Sequence, residues 1–181
     1  MKPTLFPDER IDSAYLIDYE AFVHEGIRGV IFDIDNTLVP HGAPADDRAK
    51  RLFSELHALG LNTLVLSNNK EPRVKSFADA VGAMYIYKAG KPLAKGYLAA
   101  MEKMGTDIAS TLFVGDQIFT DVWGASRLRI HTVLVGKIHP KEEIQIVLKR
   151  ILEWFVLLAH GIYRAIKRQP RAVHVRKGEI A

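Results

Sequence analysis

Four short segments of the chain carry carboxylates, hydroxyls and a lysine that could act together on a charged substrate. Residues 33–37 (DIDNT) hold two aspartates and a threonine, and residues 67–69 (SNN) hold a serine and two asparagines. Further along, Lys91 precedes a proline, and residues 115–116 (GD) are followed by Asp121. Carboxylates serve as nucleophiles and as general acids or bases, and they are also ligands that hard divalent cations prefer.

If these segments meet, four negative charges share one site, those of Asp33, Asp35, Asp116 and Asp121. Such a cluster destabilises a fold unless a cation neutralises it, because like charges repel. Oxygen ligands without histidine or cysteine favour Mg²⁺. Lys91 and the hydroxyls of Ser67 and Thr37 would supply donors for an anion. A magnesium ion, a ring of donors and a free carboxylate are typical of phosphoryl transfer.

Five apolar runs predict the strands that must position these segments. The runs are residues 28–35, 62–66, 84–87, 111–115 and 130–135, and helical spacing lies between them, over residues 44–59 and after Pro72 and Lys91. Strands of this kind alternating with helices predict an α/β fold, a three-layer Rossmann-like parallel sheet. Ligands bind beyond the carboxyl ends of such strands, where the segments fall. Pro92 is expected at the first position of the third helix.

Composition limits the class of protein. The chain has 181 residues, of which 48% are hydrophobic and 25% charged, enough for one domain with a real core. It has no cysteine, which excludes thiol catalysis and fits a reducing, cytoplasmic compartment. We expect residues 1–27 to form an arm that packs on a core of residues 28–136. Residues 137–181 hold 10 Lys/Arg and 4 Asp/Glu and predict a basic amphipathic helix and tail.

The order of the four segments resembles that of the haloacid dehalogenase-like (HAD) phosphatases. The matching motifs are FDIDNTLV at 32–39, LSNN at 66–69, GKP at 90–92 and VGDQIFTD at 114–121. The stretches LFPDERIDSAYLID, GIRGVIFDIDNTLV and KAGKP look like the YqeG branch of subclass IIIA, which is related to mitochondrial phosphatidylglycerophosphate phosphatases. The resemblance covers about residues 28–136.

The resemblance implies a role for each matching residue. Asp33 would be the nucleophile that takes the phosphoryl group, and Asp35 the general acid and then the base. The Asp33 carboxylate, the Asp35 backbone carbonyl and Asp116 would bind Mg²⁺. Ser67 and Lys91 would hold phosphate oxygens.

Three further assignments leave alternatives open. Thr37 would orient the loop beside the phosphate, and Asn68 either contacts the phosphate or shapes the turn. Asp121 supports the metal site or Lys91, or it caps the following helix. Lys88 and Lys95 compete with Lys91 for the phosphate, and the helix start expected beside Lys91 favours that residue.

The spacing of the motifs bears on the substrate. Between Thr37 and Ser67 lie 29 residues, and between Ser67 and Lys91 lie 23. Neither gap holds a separate cap domain, since domains need about 50 residues or more. An open site suits a phosphate on a lipid, a protein or a nucleic acid end.

The basic C-terminal segment favours one of these substrates. From Ile144 onward, apolar residues recur at helical spacing with lysines and arginines beside them, a pattern that fits an interfacial helix on an anionic membrane, the core, or a twin subunit. Together with the open site and this segment, the resemblance implies phosphatidylglycerophosphate at a membrane surface as the substrate. The alternatives are a phosphoprotein or soluble phosphorylated metabolite, and a non-catalytic basic binding module. Nucleic acid is not indicated, because Tyr163 is the lone aromatic of the basic tail.

Overall fold

The computed structural model describes residues 5–138 and Val156. Within these residues, six parallel strands form one sheet in the order β1-β6-β5-β2-β3-β4. The strands are β1 (Glu9–Ile11), β2 (Gly29–Phe32), β3 (Asn62–Leu66), β4 (Met84–Ile86), β5 (Thr111–Gly115) and β6 (His131–Val135). The predicted parallel α/β sheet is confirmed.

Helices connect the strands. They are α1 (Tyr19–His24), α2 (Asp47–Ala58), α3 (Glu71–Val81), α4 (Ala94–Met104) and α5 (Trp123–Arg127), with a 3₁₀ turn at Ala14–Leu16 and a π-helical turn at Ile118–Val122. Local sequence sets their limits. Asp46 caps α2 by accepting a hydrogen bond from the Ala49 backbone N at 2.8 Å, and α3 ends at Gly82, whose φ of 71° favours glycine.

Two apolar cores lie on opposite faces of the sheet. On one face, helices α1 to α3 bury large side chains, and the rings of Phe32 and Phe53 lie 5.2 Å apart. On the other face, α4 and α5 pack on the sheet, and Tyr97 lies 5.4 Å from Phe113. Because neighbouring strand residues point to opposite faces, β2 contributes Phe32 to one core and Ile31 to the other. This gives the expected three layers.

The N-terminal segment contains a strand that the sequence did not predict. Besides burying Tyr19 and Phe22, it adds β1 to the sheet edge, parallel to β6. Glu9 and Arg10 interrupt any apolar run there, so the strand left no hydrophobic signal. Its position is reinforced by Asp8, whose carboxylate accepts hydrogen bonds from the Thr132 backbone N at 3.0 Å and hydroxyl at 2.9 Å.

One helix boundary was predicted wrongly. The helix after Lys91 begins at Ala94, so Pro92 is not at its first position, and the Lys91–Pro92 peptide bond is cis. The predicted C-terminal amphipathic helix and tail lie outside the described residues, apart from Val156. That residue is helical and packs against Ile118, Val122 and Leu134. Among the described residues, no helix is long and apolar enough to cross a bilayer.

Candidate active site

The candidate site lies where the three central strands end. Strand β2 runs between β5 and β3, so their carboxyl ends are neighbours at one edge of the sheet. Asp33 extends β2 with a 3.0 Å hydrogen bond from its N to the Val114 carbonyl, and Ser67 extends β3 with one of 3.0 Å to the Ile86 carbonyl. The register therefore brings the first, second and fourth sequence motifs together.

A buried lysine joins two of the predicted aspartates. Lys91 Nζ lies 2.6 Å from Asp33 Oδ1 and 2.7 Å from Asp121 Oδ1, and all three side chains are buried. The competing lysines, Lys88 and Lys95, are both exposed. Of the three candidate lysines, Lys91 is thus the one in contact with the acidic cluster.

Three carboxylates form a group that could hold a metal ion. Each of Asp33, Asp116 and Asp121 offers an oxygen, and these oxygens lie within 4.8 Å of one another. All three residues are buried, and against their three negative charges Lys91 provides one positive charge. An excess of buried carboxylate charge, with oxygen ligands alone, suits a hard divalent cation such as Mg²⁺.

The structure gives the fourth carboxylate of the predicted cluster, that of Asp35, other partners. The Asp35 carboxylate is not part of the metal-binding group found among the described residues. Its Oδ1 accepts hydrogen bonds from Gly42 N and Arg73 Nη2, each at 2.9 Å, and its Oδ2 accepts one from Asn69 Nδ2 at 2.6 Å. These donors hold the side chain apart. The metal-binding role predicted for the Asp35 backbone carbonyl stays a prediction.

Burial and charge perturb the titration of the cluster. Burial raises the pKa of Asp33 to about 7, although the positive charge of Lys91 acts in the opposite direction. Burial alone would lower the pKa of Lys91, but Asp121 and Asp33 outweigh it, and the pKa of Lys91 is raised. Lys91 is therefore a cation throughout the physiological range, whereas Asp33 changes charge near neutral pH in the absence of a bound ion.

Asn68 fixes the loop that carries Lys91. Its Oδ1 accepts a hydrogen bond from the Lys91 backbone N at 2.8 Å, and its Nδ2 donates to the Lys91 carbonyl at 3.1 Å. The amide thus pairs with both sides of one residue. The structure gives Asn68 a contact that positions Lys91, and the predicted contact with phosphate stays a prediction.

The remaining predicted residues also surround the cluster. The Thr37 hydroxyl donates to Asp116 Oδ1 at 3.4 Å, and the Ser67 hydroxyl accepts a hydrogen bond from Asn69 N at 3.2 Å. Asp121 is fully buried, and its Oδ2 accepts one from Gln117 N at 3.1 Å. Asp121 therefore faces Lys91 with one oxygen and stabilises its own turn with the other.

Sequence reasoning missed Arg73 and the contact it makes. Arg73 lies in the first turn of α3 and forms an ion pair with Asp35. The available signal was its place six residues after Ser67, on the helix that follows the second motif. Arg73 and Asp35 are 38 positions apart in the chain, and the spacing of the motifs does not predict that their side chains meet.

Comparisons with known proteins agree with this arrangement. Residues 43–129 match the haloacid dehalogenase-like hydrolase family. The chain is 37% identical over 136 residues to the protein named "Probable phosphatase YqeG" of Bacillus subtilis (strain 168). The aligned region covers 75% of this chain and 79% of that protein.

Two further proteins are more distant. The chain is 28% identical over 155 residues to phosphatidylglycerophosphate phosphatase 1, chloroplastic/mitochondrial, of Arabidopsis thaliana, covering 79% of this chain and 44% of that protein. The solved structure of an HAD phosphatase from Thermococcus onnurineus shares the fold, with a TM-score of 0.51 and 14% identity over 65% of this chain and 90% of that one.

Proposed function

The chain belongs to the haloacid dehalogenase-like hydrolases and is a phosphatase of that family, and we propose that it hydrolyses phosphate monoesters with Mg²⁺ through a phosphorylated Asp33. The observation that carries this proposal is the buried cluster in which Asp33 lies 2.6 Å from Lys91 and close to Asp116 and Asp121. The cluster combines a nucleophile, a fixed cation and ligands for a second cation. Those are the parts that phosphoryl transfer requires.

The reaction proceeds in two displacements. An Asp33 carboxylate oxygen attacks the phosphorus, the bond to the ester oxygen breaks, and that oxygen takes a proton from Asp35 as the alcohol leaves. Water then attacks the phosphorus of the aspartyl phosphate and gives a proton to Asp35. Phosphate leaves and Asp33 is again a carboxylate. Asp35 ends each cycle in the protonation state in which it began.

The other residues of the site manage charge. Mg²⁺, held by Asp33 and Asp116 with Asp121 beside them, would neutralise the carboxylates and the phosphate oxygens. Lys91 adds a permanent positive charge next to the nucleophile, and the Ser67 hydroxyl donates to a phosphate oxygen. Because the site is buried, these interactions act in a medium of low dielectric constant, where they are stronger than in water.

The test is phosphate release from para-nitrophenyl phosphate by the Asp33→Asn variant. We expect turnover by the wild type that EDTA abolishes and Mg²⁺ restores, and at least a ~10³-fold loss in the variant, because the covalent route is closed. Asp47→Asn, which alters an exposed carboxylate on α2, is the matched control and should keep full activity. Equal turnover by wild type and Asp33→Asn would contradict the proposal.

We further propose that the phosphate is carried by a lipid in a membrane surface, as in phosphatidylglycerophosphate. The Arabidopsis relative bears that substrate in its name. Between Thr37 and Ser67 the structure has loops with α2 and β3, and between Ser67 and Lys91 it has α3 and β4, so neither interval contains a cap domain. An uncapped site can approach a surface.

The side chains near the site support contact with an anionic surface. Leu93, two residues after Lys91, is 64% exposed, and Tyr87 is also exposed. The exposed lysines nearby are Lys70 and Lys88, in these loops, and Lys95, in the first turn of α4. These loops are neighbours, because Lys88 N donates to the Asn69 carbonyl at 3.0 Å. Exposed apolar side chains among lysines are typical of proteins that bind anionic bilayers.

Vesicles carrying phosphatidylglycerophosphate test the substrate. The Leu93→Ser variant should lose activity on the vesicles and keep activity on para-nitrophenyl phosphate. Ile108→Ser is the matched control, because Ile108 is 42% exposed but precedes β5, at the opposite edge of the sheet. If the enzyme releases phosphate from a phosphopeptide or a soluble phosphate ester and none from the lipid, the substrate is soluble and the lipid proposal is wrong.

A further inference from the structure

Arg73 forms an ion pair with Asp35, the residue that transfers the proton in the proposed reaction. Its Nη2 donates to Asp35 Oδ1 at 2.9 Å, and the two side chains are 20% and 12% exposed. The guanidinium lies 5.8 Å from the centre of the Phe77 ring on the same helix. Its Nε is buried and has no hydrogen-bond partner among the described residues. The polar contacts of this arginine are therefore directed at Asp35.

Leaving a buried N–H without an acceptor costs about 1–3 kcal/mol. The guanidinium of an arginine carries five N–H donors in a planar array. Here one arm of the guanidinium holds a single oxygen. This arrangement indicates that the contact with Asp35, rather than a network of bonds, is what the side chain provides.

Asp35 is held by donors from three parts of the chain. Oδ1 accepts from Gly42 N, in the loop after β2, and from Arg73, on α3, while Oδ2 accepts from Asn69, in the loop after β3. A carboxyl oxygen can accept more than one hydrogen bond, so the two oxygens of Asp35 satisfy all three donors. The orientation of the Asp35 side chain is thus set by its own loop, by α3 and by the loop after β3.

The neighbouring aspartate is held by a different cation. Asp33 lies 2.6 Å from Lys91, and both carboxylates follow the same strand. A carboxylate without its own cation is drawn towards other positive charges, here Lys91 or a bound metal ion. Arg73 supplies Asp35 with a cation of its own at 2.9 Å.

We propose that Arg73 is a positioning residue that keeps the proton-transferring carboxylate of Asp35 away from the metal cluster and aimed at the leaving oxygen. This inference rests on the proposed function, in which Asp35 protonates the leaving alcohol. Without Arg73, the Asp35 side chain turns towards Lys91 and loses its alignment. The first displacement then proceeds without effective proton donation.

The loss depends on the leaving group. An alkoxide needs a proton as the P–O bond breaks, whereas para-nitrophenolate is stable enough to leave without one. General acid–base catalysis contributes roughly 10²–10⁴-fold where it is needed. A defect in positioning Asp35 therefore slows esters of ordinary alcohols far more than the para-nitrophenyl ester.

The experiment measures kcat/KM, which reports the first displacement, for a series of aryl and alkyl phosphates graded by the acidity of the leaving alcohol. We expect Arg73→Gln to lose at least ~10-fold more on the alkyl esters than on para-nitrophenyl phosphate. Arg73→Lys, which keeps the charge, should recover part of that difference. The matched control is Arg51→Gln, an exposed arginine on α2, which should behave as wild type throughout.

Other results of this experiment would contradict the inference. An equal loss on all esters, or a rise in KM alone, would overturn the inference, since it indicates a structural or substrate-binding role. If Arg73→Gln does not fold, as judged by thermal melting, Asn69→Ala removes the other side-chain donor and should show the same leaving-group dependence; uniform activity in that variant would overturn the inference too. If the wild type hydrolyses no ester, the proposed function itself fails and the inference falls with it.

Discussion

At the scale of single residues, burial sets the chemistry of the candidate site. Asp33 and Asp121 share the lysine at 2.6 and 2.7 Å, with little solvent to screen them. Removing water makes both ion pairs strong and makes an unpaired charge costly. The cluster is therefore sensitive to the protonation of a single carboxylate, and Asp33 is the carboxylate whose pKa is raised to about 7 by burial.

The raised pKa of Asp33 predicts how the stability of the metal-free protein depends on pH. A carboxyl with an ordinary pKa of 3.8 that titrates near 7 in the folded state binds its proton more tightly when folded. Its contribution to stability is therefore present at acidic pH and is lost as the pH rises through about 7. In EDTA, we expect the Tm to fall between about pH 4 and pH 7, the interval between the two pKa values, and to level off above it.

Addition of Mg²⁺ and two variants control the prediction. Mg²⁺ should reverse the fall at the alkaline end, because the ion binds the ionised carboxylate and stabilises the folded state. Asp33→Asn, which cannot ionise, should show a flatter profile in EDTA, while Asp47→Asn should keep the slope of the wild type. A metal-free Tm that rises over this range, or the same slope in Asp33→Asn, would show that Asp33 does not titrate as described.

At the scale of elements, the sequence predicted the strands that are buried on both faces. Residues 62–66 and 111–115 coincide with β3 and β5, since continuous apolar runs suit the centre of a parallel sheet. Strand β1 could not be predicted in this way. Its residues pair with a strand more than a hundred positions later, and that contact, not local hydrophobicity, determines its structure.

The same distinction applies to the candidate site. Lys91 was chosen over Lys88 because of an expected helix start, but the structural reason is Asn68, which holds the backbone of Lys91 on both sides. The pairing of Asp35 with Arg73 depends on how α3 packs beside the loop after β2. The spacing of the motifs predicts which strand ends meet. It does not predict the partner of each side chain, because that depends on how the elements pack against one another.

The close approach of β5 to the following turn predicts the effect of one methyl group. A Cβ on Gly115 would lie 2.6 Å from Asp121 Oδ2 and 2.7 Å from its Cγ. Gly115→Ala should displace Asp121 from Lys91, destabilise the protein by about 1–3 kcal/mol and lower both Mg²⁺ affinity and phosphatase activity. Urea unfolding and calorimetric titration of Mg²⁺ measure these effects.

A double mutant shows whether the effect passes through Asp121. If it does, adding Gly115→Ala to Asp121→Asn should cost much less affinity for Mg²⁺ than Gly115→Ala costs alone, because the interaction is already damaged. Additive losses of affinity in the double mutant would mean that the methyl group disturbs the site by another route.

At the scale of the whole molecule, buried carboxylates and exposed lysines have different proposed roles. Three buried carboxylates lie at the carboxyl edge of the sheet, where Lys91 and a metal ion would neutralise them. Positive charge lies in exposed lysines of the neighbouring loops and in residues 137–181, which hold 10 Lys/Arg and 4 Asp/Glu. The short-range contacts of the cluster resist salt, whereas the proposed attraction of the exposed lysines to an anionic membrane would weaken with salt.

This difference predicts that salt separates two activities of one enzyme. The Debye length falls from about 10 Å at 0.1 M to about 3 Å at 1 M ionic strength, so exposed lysines lose their attraction to anionic lipid over that range. Each basic residue near such a surface contributes roughly 1 kcal/mol at low salt, and several act together. Hydrolysis of phosphatidylglycerophosphate in anionic vesicles should therefore fall steeply with added NaCl, whereas hydrolysis of para-nitrophenyl phosphate should change by no more than about twofold, since its contacts lie inside the buried cluster.

The same lipid diluted into zwitterionic vesicles serves as the control and should show a shallower salt dependence. Parallel curves for the anionic vesicles and the soluble ester would show that the basic residues do not bring the enzyme to its substrate.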